Sequence, residues 1–119
     1  MSNVQQLPIG VFDSGVGGLS VLKVLQEQFP NEDFIYIGDN ANNPVGNRSD
    51  DEITYLACHI AEALEKQPVK LMVIACNTFT VVALDAVRER VSVPVIGVSQ
   101  GVKQRLVKAK ARQLASWRR

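Results

Sequence analysis

Val69-Lys70-Leu71-Met72-Val73-Ile74-Ala75-Cys76-Asn77-Thr78 is the stretch that decides the fold. Residues 69–75 are almost unbroken apolar sequence, as a strand covered by helices on both faces requires. The run closes on Cys76. Asn77 or Thr78 is then expected to cap a helix reaching about Arg90, with Ala83, Leu84, Val87 and Val91 inward. A cysteine at such a junction meets unpaired amides and the positive end of a helix, which favour a thiolate. An inert buried thiol is the ordinary alternative for any cysteine.

The same strand-then-helix unit recurs on both sides of this stretch. Residues 7–12 read as a buried strand closed by Asp13-Ser14-Gly15. The following helix carries Leu19, Leu22, Leu25 and Phe29 on one face and ends at Pro30-Asn31. Residues 34–37 form a second strand, closed by Gly38-Asp39, and residues 40–47 an Asn-, Gly- and Pro-rich loop. Ser49-x-x-Glu52 is a capping box. Its helix has the stripe Ile53, Leu56, Ala57, Ile60, Ala61, Leu64 and stops at Gln67-Pro68. Residues 93–98 read as a fourth strand and 100–110 as a helix with a basic outer face. This alternation predicts an α/β domain: a four-stranded parallel sheet with helices on both faces and right-handed crossovers.

Composition narrows the function classes. The 119 residues are 46% hydrophobic and 21% charged, with a formal net charge of +1. That balance gives no case for nucleic acid or a membrane surface as partner. No apolar run approaches the length of a membrane span, and residues 1–6 lack a signal-peptide pattern, so a cytoplasmic location is expected. There both cysteines, Cys58 and Cys76, would be free thiols. Two cysteines and one histidine at this spacing match no zinc pattern, so no metal is expected. Charge is uneven, however: seven of the thirteen basic residues fall after position 102, and no acidic residue follows Glu89.

In a parallel sheet the carboxyl ends of the strands share one edge. Three loops meet there: Asp13-Ser14-Gly15, residues 38–46, and Cys76-Asn77-Thr78. Helix amides make this edge suited to a carboxylate or phosphate. Gly15-Val16-Gly17-Gly18 is neither a P-loop nor a dinucleotide fingerprint; it permits a tight turn. Asp13 fits a general acid or base, an ammonium ligand or a helix cap, and Ser14 the same cap. Cys58 and His59 lie off the apolar stripe of their helix. Cys58 reads as structural, and His59 receives no role.

Gly10 through Ser20, Tyr36-Ile37-Gly38-Asp39, Pro44 through Ser49, Ile74-Ala75-Cys76-Asn77-Thr78 and Val93 through Val98 together resemble the amino-terminal half of the glutamate racemases, within the aspartate/glutamate racemase superfamily. Order and spacing agree over roughly residues 7–108. The resemblance implies interconversion of L- and D-glutamate without a cofactor. It implies two cysteines on opposite sides of the substrate Cα, one removing a proton and the other returning one. The D-glutamate would feed peptidoglycan synthesis. By the same resemblance Cys76 is the first catalytic cysteine. Asp13 and Ser14 form the substrate and catalytic-support pair, with Asp13 also catalytic. Val45-Gly46 falls on the substrate loop, and Asn77 and Thr78 hold the substrate carboxylate. A homodimer is compatible with it.

Two departures from the family pattern stand out. The family's Asp-Thr-Ala-Arg and Pro-Tyr-Gly appear here as Asp39-Asn40-Ala41-Asn42 and Pro44-Val45-Gly46, which removes a tyrosine hydroxyl. The family's second domain, with its cysteine in Gly-Cys-Thr-His, has no counterpart in the chain. Residues 1–110 are thus expected to be the first racemase domain, without the second. Residues 111–119 form an atypical basic tail. One back-translation of the tail, read two bases along, gives Gln-Ala-Ile-Gly-Val-Met-Ala-Thr. This resembles the strand opening the family's second half, so a frameshift origin is expected. Alternatives are a weak acidic-amino-acid binding module, a noncatalytic remnant with an exposed docking face, a racemase for aspartate, and a flavodoxin-like phosphate binder, which Cys-Asn-Thr disfavours.

Overall fold

Strand β1 (Ile9–Asp13) is buried at every position and lies inside the sheet. The computed structural model describes residues 6–15, 19–40 and 45–98. After β1 come helix α1 (Leu19–Gln28), strand β2 (Phe34–Gly38), a 3-10 turn (Val45–Asn47), helix α2 (Asp50–Glu65), strand β3 (Leu71–Ile74), helix α3 (Asn77–Arg90) and strand β4 (Val95–Gly97). The sheet order is β2-β1-β3-β4, and every pairing is parallel. The predicted α/β alternation is therefore present. Strands β3 and β4 are shorter than their apolar runs: 69–75 contributes Leu71–Ile74, and 93–98 contributes Val95–Gly97. The flanking residues still bond to neighbouring strands, the Val98 N–H to the Ile74 carbonyl at 3.0 Å and the Met72 N–H to the Pro94 carbonyl at 2.9 Å. The predicted helix over 100–110 and the tail lie outside the described residues.

Alternation along the strands sorts the core into two layers. Ile9, Val11, Leu71 and Val73 pack with Leu25 of α1, joined by Phe34, Tyr36 and Ile96. Phe12, Met72, Ile74 and Val95 face the other way, onto α2 and α3. There Ile53, Ala57, Ile60, Ala61 and Leu64 meet Phe79, Ala83 and Val87. The α2 stripe is as expected except that Leu56 is only half-buried. Leu19, expected on the inner face of α1, is 50% exposed.

Half of the capping box is formed as expected, and the Glu52 carboxylate returns to the Ser49 hydroxyl in place of its backbone N–H. Ser49 Oγ accepts from the Glu52 N–H at 3.2 Å and donates to Glu52 Oε1 at 3.2 Å. Three acidic residues in that first turn complement the helix dipole. Arg88 on α3 donates from Nε and a terminal nitrogen to the Val95 carbonyl, tying α3 to edge strand β4. At the amino ends of the strands Lys70 is buried and ion-paired with Glu32.

Candidate active site

β1 and β3 are neighbours, so the residues leaving their carboxyl ends emerge side by side. The Ala75 N–H donates to the Phe12 carbonyl at 2.8 Å, one residue beyond the end of β3. Past that bond the two chains separate into Asp13-Ser14-Gly15 and Cys76-Asn77-Thr78. On the opposite flank of β1, the Asp39 N–H donates to the Asp13 carbonyl at 3.1 Å.

Cys76 itself is the N-cap of α3, correcting the expectation of Asn77 or Thr78, which are the first two helical residues. The chain leaves β3 still extended (φ −102°, ψ 125° at Cys76) and turns helical one residue later. Sγ therefore takes the place usually held by a serine or aspartate oxygen. It accepts from the Phe79 N–H at 3.4 Å. Thr80 braces the same turn, its hydroxyl and N–H donating to the Cys76 carbonyl at 2.9 and 3.0 Å. Across the gap, Ser14 Oγ lies 3.3 Å from Cys76 Sγ, and either can donate. Asp13 Oδ1 accepts from the Ser14 N–H at 2.7 Å.

Asp13, Ser14 and Cys76 are thus joined by hydrogen bonds, and all three are at least nine-tenths buried. Asn77 is exposed and Thr78 half-buried on the first turn of α3. Val45 opens the 3-10 turn with its side chain buried in the apolar cluster that contains Phe12, Ile53, Cys76 and Phe79. Gly46 beside it is exposed. Residues 16–18 and 41–44, which complete the expected glycine turn and substrate loop, lie outside the described residues.

Tyr36 is a residue to which sequence reasoning gave no role. Its hydroxyl donates to the Gly15 carbonyl at 3.0 Å. Burial pushes its phenol pKa up, and the charge of Asp13 and a hydrogen bond to it add to the shift. The available signal was its position: β1 and β2 pair Val11 with Tyr36 and Asp13 with Gly38, which sets Tyr36 on the Asp13 face, one step diagonal.

Cys58 is not part of this constellation. Although off the apolar stripe, it is buried, because α3 covers that flank of α2. It lines a cleft of about 260 Å³ with Tyr55, His59, Glu62 and Arg90. Burial raises its pKa; Arg90 opposes the shift and Glu62 adds to it. His59 is exposed and stacks on Tyr55 at 6.0 Å.

Residues 9–115 match the Asp/Glu/Hydantoin racemase family. The chain belongs to that family. Among similar proteins, the glutamate racemase of Corynebacterium diphtheriae is 54% identical over 91 residues, covering 76% of this chain and 34% of the relative. The glutamate racemase of Francisella tularensis, solved in complex with D-glutamate, superposes with a TM-score of 0.74 at 47% identity, over 77% of this chain and 35% of that one. That of Aquifex pyrophilus gives 0.77 at 36% identity, over 94% and 52%. The family resemblance and the α/β fold expected from sequence are both borne out. The chain spans about a third of the length of the curated relatives it matches. Among the described residues, no helix is long and apolar enough to cross a membrane.

Proposed function

We propose that this chain supplies one catalytic face of a cofactor-independent glutamate racemase, with Cys76 as the proton-transferring thiol. The observation that carries the reading is the placement of Cys76 Sγ, held between the Phe79 N–H and Ser14 Oγ at a helix N-terminus. The Phe79 N–H donates to that sulfur, and Ser14 Oγ lies against it as either donor or acceptor. The thiolate would take the α-proton of glutamate, leaving the electron pair on Cα. A second acid on the opposite face would return a proton there, completing inversion. Asp13 would hold the substrate ammonium, the amides and side chains of Asn77 and Thr78 its carboxylate, and the turn at Val45-Gly46 would close over it. A carbanion next to a carboxylate is high in energy, so a buried site rich in donors suits the step. Cytoplasmic production of D-glutamate for the cell wall is the role this chemistry implies.

Cys58 lies on the α2–α3 flank and is not that second acid. In this reading a further domain or another subunit supplies it, a second copy of the chain being one source. This observation also favours a second reading, an acidic-amino-acid binding module that does not turn over. The deciding experiment is exchange of the glutamate α-proton in D2O, followed by NMR with both enantiomers. Racemase chemistry predicts deuterium at Cα, and its loss by about 100-fold or more in Cys76→Ser. Glutamate-dependent thermal stabilisation without exchange supports the binding module instead.

A further inference from the structure

The Asp13-Ser14-Gly15 turn is held on one side by Cys76 and on the other by the end of β2. Tyr36 is the side chain that makes the second connection. Its ring belongs to the apolar layer beneath α1, packed against the cluster of Ile9, Val11 and Leu25. From there it runs along β2 toward the carboxyl edge. It can do so because Gly38, opposite Asp13 in the register, has no side chain. A Cβ at Gly38 would lie 3.1 Å from the Tyr36 hydroxyl and 3.2 Å from Cε2, and would collide with the Gly15 carbonyl oxygen. The glycine therefore opens the space in which the phenol reaches the Gly15 carbonyl, on the same face of the sheet as Asp13.

We propose that Tyr36 is a positioning residue for the Cys76 site: its hydroxyl, bonded to the Gly15 carbonyl and facing Asp13, holds Ser14 Oγ against Cys76 Sγ. The chain of contacts is continuous. Tyr36 fixes Gly15, Gly15 follows Ser14, Ser14 Oγ sits 3.3 Å from the sulfur, and the Ser14 N–H binds Asp13. Without the hydroxyl, the turn keeps the Asp39 N–H bond to the Asp13 carbonyl but loses its hold on Gly15 from the β2 side. Ser14 then covers the sulfur only part of the time, and the thiol opens to reagents. The proposal rests on the racemase reading only in naming Cys76 as the reactive group; its test does not require turnover.

The test is alkylation of the full 119-residue chain by iodoacetamide at fixed pH. Peptide mass spectrometry would follow Cys76, with Cys58 as internal control. Tyr36→Phe keeps the buried ring and removes one oxygen. It should speed Cys76 alkylation about fivefold and leave Cys58 unchanged, the scale of one lost hydrogen bond. Ser14→Ala should do the same, and adding Tyr36→Phe to it should produce no further gain, because both act through one contact. An unchanged Cys76 rate, or effects that multiply in the double variant, overturns the proposal. Should Tyr36→Phe fail to fold, Gly38→Ala displaces the same carbonyl with the tyrosine intact. It should reproduce the increase and likewise be non-additive with Ser14→Ala; a multiplicative result overturns the proposal there too. D-glutamate should also protect Cys76. Coupling without protection supports the positioning role and overturns the glutamate reading alone.

Discussion

Three side chains carry individual predictions. Val45, expected from the resemblance to stand where the family has tyrosine, is a core residue, buried against the layer under α2 and α3. Val45→Tyr therefore overpacks that layer rather than simply restoring a hydroxyl. A loss of about 1–3 kcal/mol in urea unfolding is expected. Unchanged stability would show that the turn relaxes to admit the ring. Cys58 makes stability depend on pH. Its folded pKa is raised above the ordinary 9.0 by burial, so the native state holds the proton more tightly than the unfolded chain does. Its stabilising contribution is complete below pH 9 and is lost as pH rises through the higher folded value. Thermal melts from pH 8 to 11 should fall less steeply in Cys58→Ala than in the parent. Parallel curves would remove Cys58 as the cause. Tyr36 was the residue least legible in sequence. Its role depends on an empty position at Gly38, and a missing side chain is visible only once the register is known.

Among the elements, α3 is the one whose start matters most. Sequence placed the helix correctly but named Asn77 or Thr78 as its cap, since those are favoured cap residues. The cap is decided instead by where the backbone leaves the extended region, and that is Cys76. One side chain thus serves both helix initiation and the proposed chemistry, and two substitutions separate the roles. Cys76→Ser keeps a capping atom and should keep the melting temperature while losing α-proton exchange. Cys76→Ala should also lose about 1 kcal/mol of stability. Equal stability in the two variants would show that the sulfur's bond to Phe79 contributes nothing to the helix. The α2 boundary was fully readable, because Ser49 and Glu52 satisfy each other within one turn. Cys58 on the same helix lies off that stripe and is buried all the same, in keeping with a structural role. A single stripe describes packing against the sheet and not against a neighbouring helix.

Across the whole molecule, the two ends of the sheet perform different work. The carboxyl edge gathers Asp13, Ser14 and Cys76. The amino edge holds the buried Lys70–Glu32 ion pair, with side chains 1% and 11% exposed. Glu32→Ala removes the carboxylate paired with this buried ammonium and should cost about 3–5 kcal/mol in urea unfolding. A cost below about 1 kcal/mol would place the pair among exposed bridges. Sequence by itself determined the α/β alternation, the helix stripes, the capping box, the family and the cysteine at a strand-to-helix junction. These features are periodic or local, set by how side chains alternate along a strand or recur along a helix. Only the tertiary structure decided that Ser14 lies against Cys76 across 62 positions of chain, that Tyr36 reaches the turn through the space left by Gly38, and that Val45 is buried. Those contacts depend on strand order and register, β2-β1-β3-β4, which bring separate loops together. No short-range pattern in the chain encodes which loops those will be.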